Sequence, residues 1–226
     1  MASTTPPLSI DIISDVVCPW CYVGKRRLEA ALARRPTAQA LPVQVRWHAF
    51  QLNPDIPAGG VDRRSYLEQK FGGPERAKQI YARIKAAGDE VGISFDFERI
   101  VRQPNTFDAH RLIGWAQDVD LTRSDALIEG LFRAYFIEGV DIGDIDALAR
   151  LAGAAGFDAT AARAWLTSGE GRAAIRAEEQ RARALGVTGV PFFVFNQRLA
   201  VSGAQPPEVL LGAIDEASLA ELESGA

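Results

Sequence analysis

The stretch LSIDIIS, residues 8–14, is short and apolar, with Ile10, Ile12 and their neighbours forming a β-branched run. That pattern predicts a first strand. From Pro19 to Arg35 the period changes: Leu28, Ala31 and Leu32 fall at helical spacing, and Pro36 ends the helix. Alternation follows in PVQVRWHAF, where Val43, Val45 and Trp47 interleave with Gln44, Arg46 and His48. This is the signature of a half-buried second strand, so the first 50 residues read as a βαβ unit.

Between residues 62 and about 185 the strand signal gives way to helices. PERAKQIYARIKAAGDEVG puts Ala77, Ile80, Ile84 and Val91 on one face, with Pro74 suited to a first turn. NTFDAHRLIGWAQDV offers Asn105 as a cap with Asp108 three residues on, and SDALIEGLFRAYFIEG carries Leu127, Leu131, Phe132 and Tyr135. Shorter helices are expected after Asp144 and Asp158, and another from Glu170 to Leu185. PFFVFN and RLAVS, separated by Asn196-Gln197, then predict a hairpin, and a last helix starts near Pro206-Pro207. The order is β-α-β, helical insertion, β-β-α. It divides the chain at 1–52, 53–185 and 186–226: an α/β core around one sheet, interrupted by a large inserted α-helical domain.

Bulk composition narrows the function classes. At 226 residues the chain can bury a sizeable core, and 47% hydrophobic with 24% charged residues is the profile of a globular protein. The net charge of −4 argues against a general nucleic-acid or acidic-membrane binder. No apolar run approaches the roughly 18 residues a membrane helix needs. MASTTPPLSIDIISDVV has no basic residue before its apolar stretch, and Asp11 and Asp15 interrupt it, so no signal peptide is expected and the protein is placed in the cytoplasm.

Against this background DVVCPWCYVG stands out, because Cys18 and Cys21 are the chain's only cysteines. In a cytoplasmic setting a structural crosslink is disfavoured. A tetrahedral zinc site needs about four ligands, and beyond the cysteines the chain adds only His48 and His110, without finger-like spacing. No metal is expected, although a zinc or redox-sensing clip shared between copies is the non-enzymatic alternative. Cys-x-x-Cys beside a βαβ unit reads instead as a thioredoxin-like redox motif.

The local geometry supports that reading. With Cys18 at the N-cap, Pro19 falls at N1, where its missing N–H costs nothing. The N–H groups of Trp20 and Cys21 then point back at the Cys18 sulfur, and the positive helix end favours its thiolate. Cys21 shares a face with Gly24, Leu28 and Leu32, expected to turn inward, which suits a shielded resolving thiol.

These residues also resemble a known family. CPWC after the first strand, with GVTGVPFFVFN and VSGAQPPE late in the chain, is similar to the DsbA-like thioredoxin superfamily with its helical insertion. DVVCPWCYVGKRRLE, FQLNPD and NTFDAHRL are in keeping with its cytoplasmic FrnE-type branch. The resemblance implies a thioredoxin fold and thiol–disulfide oxidoreductase or isomerase activity on protein or small-molecule thiols. It also implies a cis bond at Pro191, packed beside the cysteines with Val190 lining the groove; the residue pattern alone allows a strand-starting proline. Kappa-class glutathione transferases and 2-hydroxychromene-2-carboxylate isomerases share the layout but carry serine at the position matching Cys18. A glutathione-dependent transferase or isomerase using Cys18 is therefore the alternative enzyme.

The expected site is then Cys18 and Cys21, flanked by Pro19, Trp20, Val190 and Pro191. Asn53 is a candidate glutathione contact, or simply part of the LNPD turn. His48 is an auxiliary candidate as a proton shuttle, with a structural histidine as its alternative, and His110 is a weaker one. Lys25 could add positive potential near the thiolate, but GKRR reads first as a solvated helix face. Trp47, Trp115 and Trp165 read as core. No cofactor is required, glutathione is a candidate redox partner, and the chain is expected as a monomer or homodimer.

Overall fold

A computed structural model describes residues 7–36 and 41–224. The beginning of the first expected core segment, residues 1–6, and the end of the last, residues 225–226, lie outside the described residues. Strand β1 (Leu8–Ser14) is followed by helix α1 (Pro19–Ala33) and strand β2 (Val43–Ala49). β1 and β2 pair in parallel, Leu8 opposite Val43 through Ser14 opposite Ala49, which completes the expected βαβ unit. The returning hairpin supplies β5 (Phe192–Phe195) and β6 (Leu199–Ser202), and helix α9 (Pro207–Ser224) follows it. β5 runs antiparallel to β1, so the sheet order is β2-β1-β5-β6. Asn196 and Gln197 take positive φ, 46° and 56°, the backbone a tight hairpin turn demands.

β1 lies inside the sheet and is covered on both faces. Leu8, Ile10 and Ile12 join the main core with Phe193 and Phe195, while Ile13 packs with Phe50, Ala182 and Val187 on the other side. β2 is an edge strand, and side chains cover its unpaired backbone. Gln117 accepts from Trp47 N at 2.7 Å and donates to Trp47 O at 2.9 Å. Glu178 accepts from Ala49 N at 3.0 Å and Glu179 from Gln51 N at 2.8 Å. An edge so occupied offers little for another chain to pair with.

The segment between β2 and β5 is mainly helical, as expected: α2 (Arg63–Phe71), α3 (Pro74–Asp89), α4 (Phe107–Val119), α5 (Leu121–Phe136), α6 (Ile145–Ala154), α7 (Ala159–Thr167) and α8 (Arg172–Ala184). Aspartates begin four of them. Asp62, Asp120, Asp144 and Asp158 each accept from backbone N–H groups of the first turn. Two elements go beyond the sequence pattern: α2 itself, and a ribbon of β3 (Val61–Asp62) with β4 (Arg102–Gln103). Two-residue strands carry no period to read. The cap of α4 is Thr106 rather than Asn105, whose side chain accepts from Phe107 N at 2.9 Å.

The helical segment is fastened to α1. Tyr22 stacks on Phe132 with centroids 5.0 Å apart, and its hydroxyl donates to Glu129 at 2.6 Å. Lys25 corrects an expectation. It is 3% exposed rather than solvated, paired with Glu29, Asp125 and Glu129, and so ties α1 to α5 instead of facing the cysteines. Its partners on α5 lie about a hundred residues away in sequence, which is why a short-range reading of GKRR misplaces it. Arg111 is another internal fastener. Its guanidinium donates to Asp108 and to the carbonyls of Trp165, Leu166, Ser168 and Glu170, closing the C-terminus of α7.

Candidate active site

Cys18 ends the loop after β1 in an extended conformation (φ −93°, ψ 112°), and Pro19 opens α1. This is the N-cap arrangement expected from the sequence. Cys18 is 5% and Cys21 0% exposed, and they approach to 3.7 Å as free thiols. One detail differs: Cys21 N–H donates to the Cys18 carbonyl at 3.0 Å, so it is not wholly unbonded. No strict side-chain cap bond closes onto the sulfur, yet the amides of Cys21 and Trp20 still favour its negative charge.

The two thiols are driven in opposite directions. A hydrogen bond from the Cys21 thiol is the main influence holding the Cys18 pKa below its ordinary 9.0. Burial and the charge of Asp15 oppose it, and the backbone amides assist it. Burial pushes Cys21 well above 9.0, and its partnership with Cys18 adds to that. Hence Cys18 is the more readily ionised sulfur and Cys21 the reserve thiol.

The loop before β5 completes the site. Val190-Pro191 is a cis peptide, and the Cys18 thiol donates to the Val190 carbonyl at 3.6 Å. Glycine in α1 permits this approach: a Cβ on Gly24 would lie 2.9 Å from Pro191 Cγ and 3.2 Å from Phe193. Pro191 thus sits against the helix one turn past Cys21. Trp20 is 37% exposed and stands at the rim.

On its other side Cys18 opens into a cavity of about 230 Å³. Cys18, Pro19 and Trp20 line it from α1, Asn53 from the loop after β2, and Arg63 and Tyr66 from α2. The Tyr66 hydroxyl donates to Asn53 Oδ1 at 3.0 Å. Asn53 thus lines the cavity beside Cys18, and the helical segment roofs the thiol. Sequence reasoning misses Arg63 and Tyr66, because VDRRSYLEQK is a polar run with no spacing that marks an inward face, and Tyr81, which α3 adds to the lining beside Ile80 and Ile84 of its predicted face.

Neither histidine lines the cysteine cavity. His48 is bound to Asp11 at 2.8 Å and Glu178 at 3.6 Å. His110, the weaker candidate, is buried with its Nε2 3.4 Å from Asp15 Oδ1. Asp15 stands directly behind the site, accepting from Leu52 N at 2.8 Å while its carbonyl accepts from Cys18 N at 2.9 Å. Among the described residues no group of three or more His, Cys, Asp or Glu is placed to hold a metal ion. Nor is any described helix long and apolar enough to cross a membrane.

Comparison with known proteins agrees with this architecture. A probable DsbA oxidoreductase from Streptomyces coelicolor, SCO1869, superposes with a TM-score of 0.81 at 35% identity, covering 93% of this chain and 89% of that one. The cytosolic disulfide reductase DsbM from Pseudomonas aeruginosa, solved with GSH, shares the fold at a TM-score of 0.60 and 20% identity, over 96% of this chain and all (100%) of its own. The uncharacterized protein YwbO of Bacillus subtilis (strain 168) is 26% identical over 208 residues, 92% of this chain and 96% of that protein. Residues 9–215 match the DSBA-like thioredoxin domain, from β1 through the first half of α9, and the chain belongs to that family.

Proposed function

We propose that the protein is a thiol–disulfide oxidoreductase working through the Cys18–Cys21 couple. The observation that carries this is the pair itself: two free thiols 3.7 Å apart at the start of α1, one favoured as thiolate and one held as thiol. Cys18 thiolate attacks one sulfur of a substrate disulfide, forming a mixed disulfide and releasing the other sulfur as a thiolate. Cys21 then gives up its proton and attacks the Cys18 sulfur. The Cys18–Cys21 disulfide forms, the second substrate thiolate leaves, and two electrons have passed to the substrate. The reverse sequence oxidises a substrate dithiol.

The surroundings suit the two steps. The Val190 carbonyl beside the sulfur offers a backbone acceptor to a bound substrate, and burial keeps Cys21 from competing for it. Glutathione is a reasonable redox partner, since DsbM was solved with GSH and Asn53 lines the cavity here. We place the reaction in the cytoplasm, the compartment named for DsbM. A glutathione-dependent isomerisation at Cys18 would need no resolving thiol, so turnover surviving Cys21→Ala would favour it over exchange.

The test is the reduction potential of the couple, set by equilibration in glutathione buffers and read as a two-dalton mass change. A reversible couple within the range of about −270 to −120 mV spanned by such oxidoreductases is expected. A pair that will not cycle, or that lies below about −300 mV like a structural disulfide, overturns the proposal.

A further inference from the structure

Arg63 has no part in the exchange steps, yet it is 8% exposed and lines the cavity that opens onto Cys18. Its Nη1 donates to the Gln103 side-chain oxygen and its Nη2 to the Tyr81 hydroxyl, both neutral acceptors. Its Nε is buried with no hydrogen-bond partner. The guanidinium lies 5.6 Å from the Tyr66 ring centroid and 5.8 Å from that of Tyr81. No carboxylate among the described residues pairs with it. The cavity lining contains Lys70 as a second cation, bonded to the Tyr66 hydroxyl, and no aspartate or glutamate among the described residues.

A buried cation is costly unless it is paired, and elsewhere this chain meets that need: Lys25 has carboxylates around it, and Arg111 has Asp108 and a ring of carbonyls. At the cavity the described residues supply no such counter-charge. A guanidinium with no carboxylate partner in a cavity wall is the side chain best matched to an incoming carboxylate. Phe71, Phe97, Phe136 and Ile84 supply apolar wall beside it.

We propose that Arg63 docks the carboxylate of a small substrate, a compact thiol or disulfide acid whose sulfur reaches Cys18. The identity of the reacting group rests on the exchange reading; the carboxylate site does not. At about 230 Å³ the cavity takes a compact molecule, and the apolar walls hold its carbon skeleton while Arg63 selects its charge.

Benzoate and its neutral isostere benzamide are the probes. In the Cys18→Ser/Cys21→Ser protein, calorimetric titration should show benzoate binding at least about tenfold tighter than benzamide. In reduced wild-type protein, benzoate should likewise slow Cys18 alkylation by neutral iodoacetamide, and benzamide should not. Arg63→Gln should erase the difference, and Arg63→Lys should restore part of it. Equal behaviour of the two probes in protein with Arg63 intact refutes the site whether or not the Arg63 variants fold. If benzoate selectivity holds while the cysteines fail to cycle, the carboxylate site stands and the exchange reading falls. If the couple cycles normally without benzoate selectivity, the exchange reading stands and the carboxylate site falls.

Discussion

Gly24 is where the helix carrying the cysteines meets the loop carrying Pro191, so Gly24→Ala tests how rigidly the site is assembled. Two effects compete. Alanine in the interior of α1 is favoured over glycine by about 1 kcal/mol. Its Cβ, however, would fall 2.9 Å from Pro191 Cγ and 3.2 Å from the Phe193 ring, and neither is the tip of a flexible chain. Overpacking of this kind costs about 1–3 kcal/mol. The sum is a net loss of about 0–2 kcal/mol, or about 0–8 °C in Tm for a chain of this size. Gly130→Ala supplies the internal standard: it lies in α5 with nothing within 4 Å of the added Cβ, so it should gain the full helix term of about 1 kcal/mol. Denaturant unfolding of the two variants isolates the clash. Because relief requires α1 and the Pro191 loop to separate, the 3.6 Å approach of the Cys18 thiol to the Val190 carbonyl should lengthen, and the Cys18 alkylation rate should change with it. A Gly24→Ala protein as stabilised as Gly130→Ala, with unaltered Cys18 reactivity, would refute the close contact.

Removing the hydrogen bond from Cys21 should raise the Cys18 pKa toward 9.0, so Cys21→Ala should move the alkylation midpoint to higher pH, while Cys21→Ser, which still carries a donor, should move it less; coincident midpoints for wild type and Cys21→Ala would contradict that cause. Arg111→Met strips the carbonyls at the end of α7 of their donors and should cost about 3–5 kcal/mol in thermal or denaturant unfolding, against under 1 kcal/mol if the guanidinium is dispensable. For His48, burial opposes the cation, but hydrogen bonds to Asp11 and Glu178 and their charges outweigh it, raising the pKa from 6.5 to about 9. A raised folded-state value stabilises fully below about pH 6.5 and is lost as pH climbs to about 9; it is worth about 3 kcal/mol undamped and about 1–2 kcal/mol after solvent screening. Stability curves for wild type and His48→Gln should therefore differ in slope across that window, and parallel curves would remove the ion cluster's role.

The parts of this structure that are legible in the sequence depend on local chemistry. Ile10 and Ile12 mark β1, Pro19 marks the first turn of α1, and Asp144 and Asp158 mark helix starts because an aspartate cap acts on N–H groups two or three residues ahead. The cysteine geometry is legible for the same reason: an N-cap and N3 pair is a local fact. What the pattern misses is held by distant partners. Lys25 is buried because Asp125 and Glu129 arrive from α5, and Arg63 is buried because β4 brings Gln103 beside it. A cation run looks identical on paper whether it faces water or acids. The places of His48 and His110 are hidden likewise, since Glu178 and Asp15 reach them through tertiary packing alone.

The same distinction explains how the site divides its labour. The influences that make Cys18 reactive, the start of α1 and the thiol one turn on, are local, and any chain with this motif would possess them. Of those that restrain it, Asp15 is also local, three residues before Cys18, and burial comes from the way the fold closes around the motif. A thiolate stabilised without restraint would favour the reduced state and make the disulfide a strong oxidant. Asp15 opposes that, while α2 and α3 narrow the approach to a cavity with cationic and aromatic walls. On the exchange reading proposed above, α2 and α3 would limit which sulfur compounds reach Cys18, since their side chains line the cavity beside it. On that reading the CPWC turn would supply reactivity, and the cavity residues Arg63, Tyr66 and Tyr81 would supply selectivity.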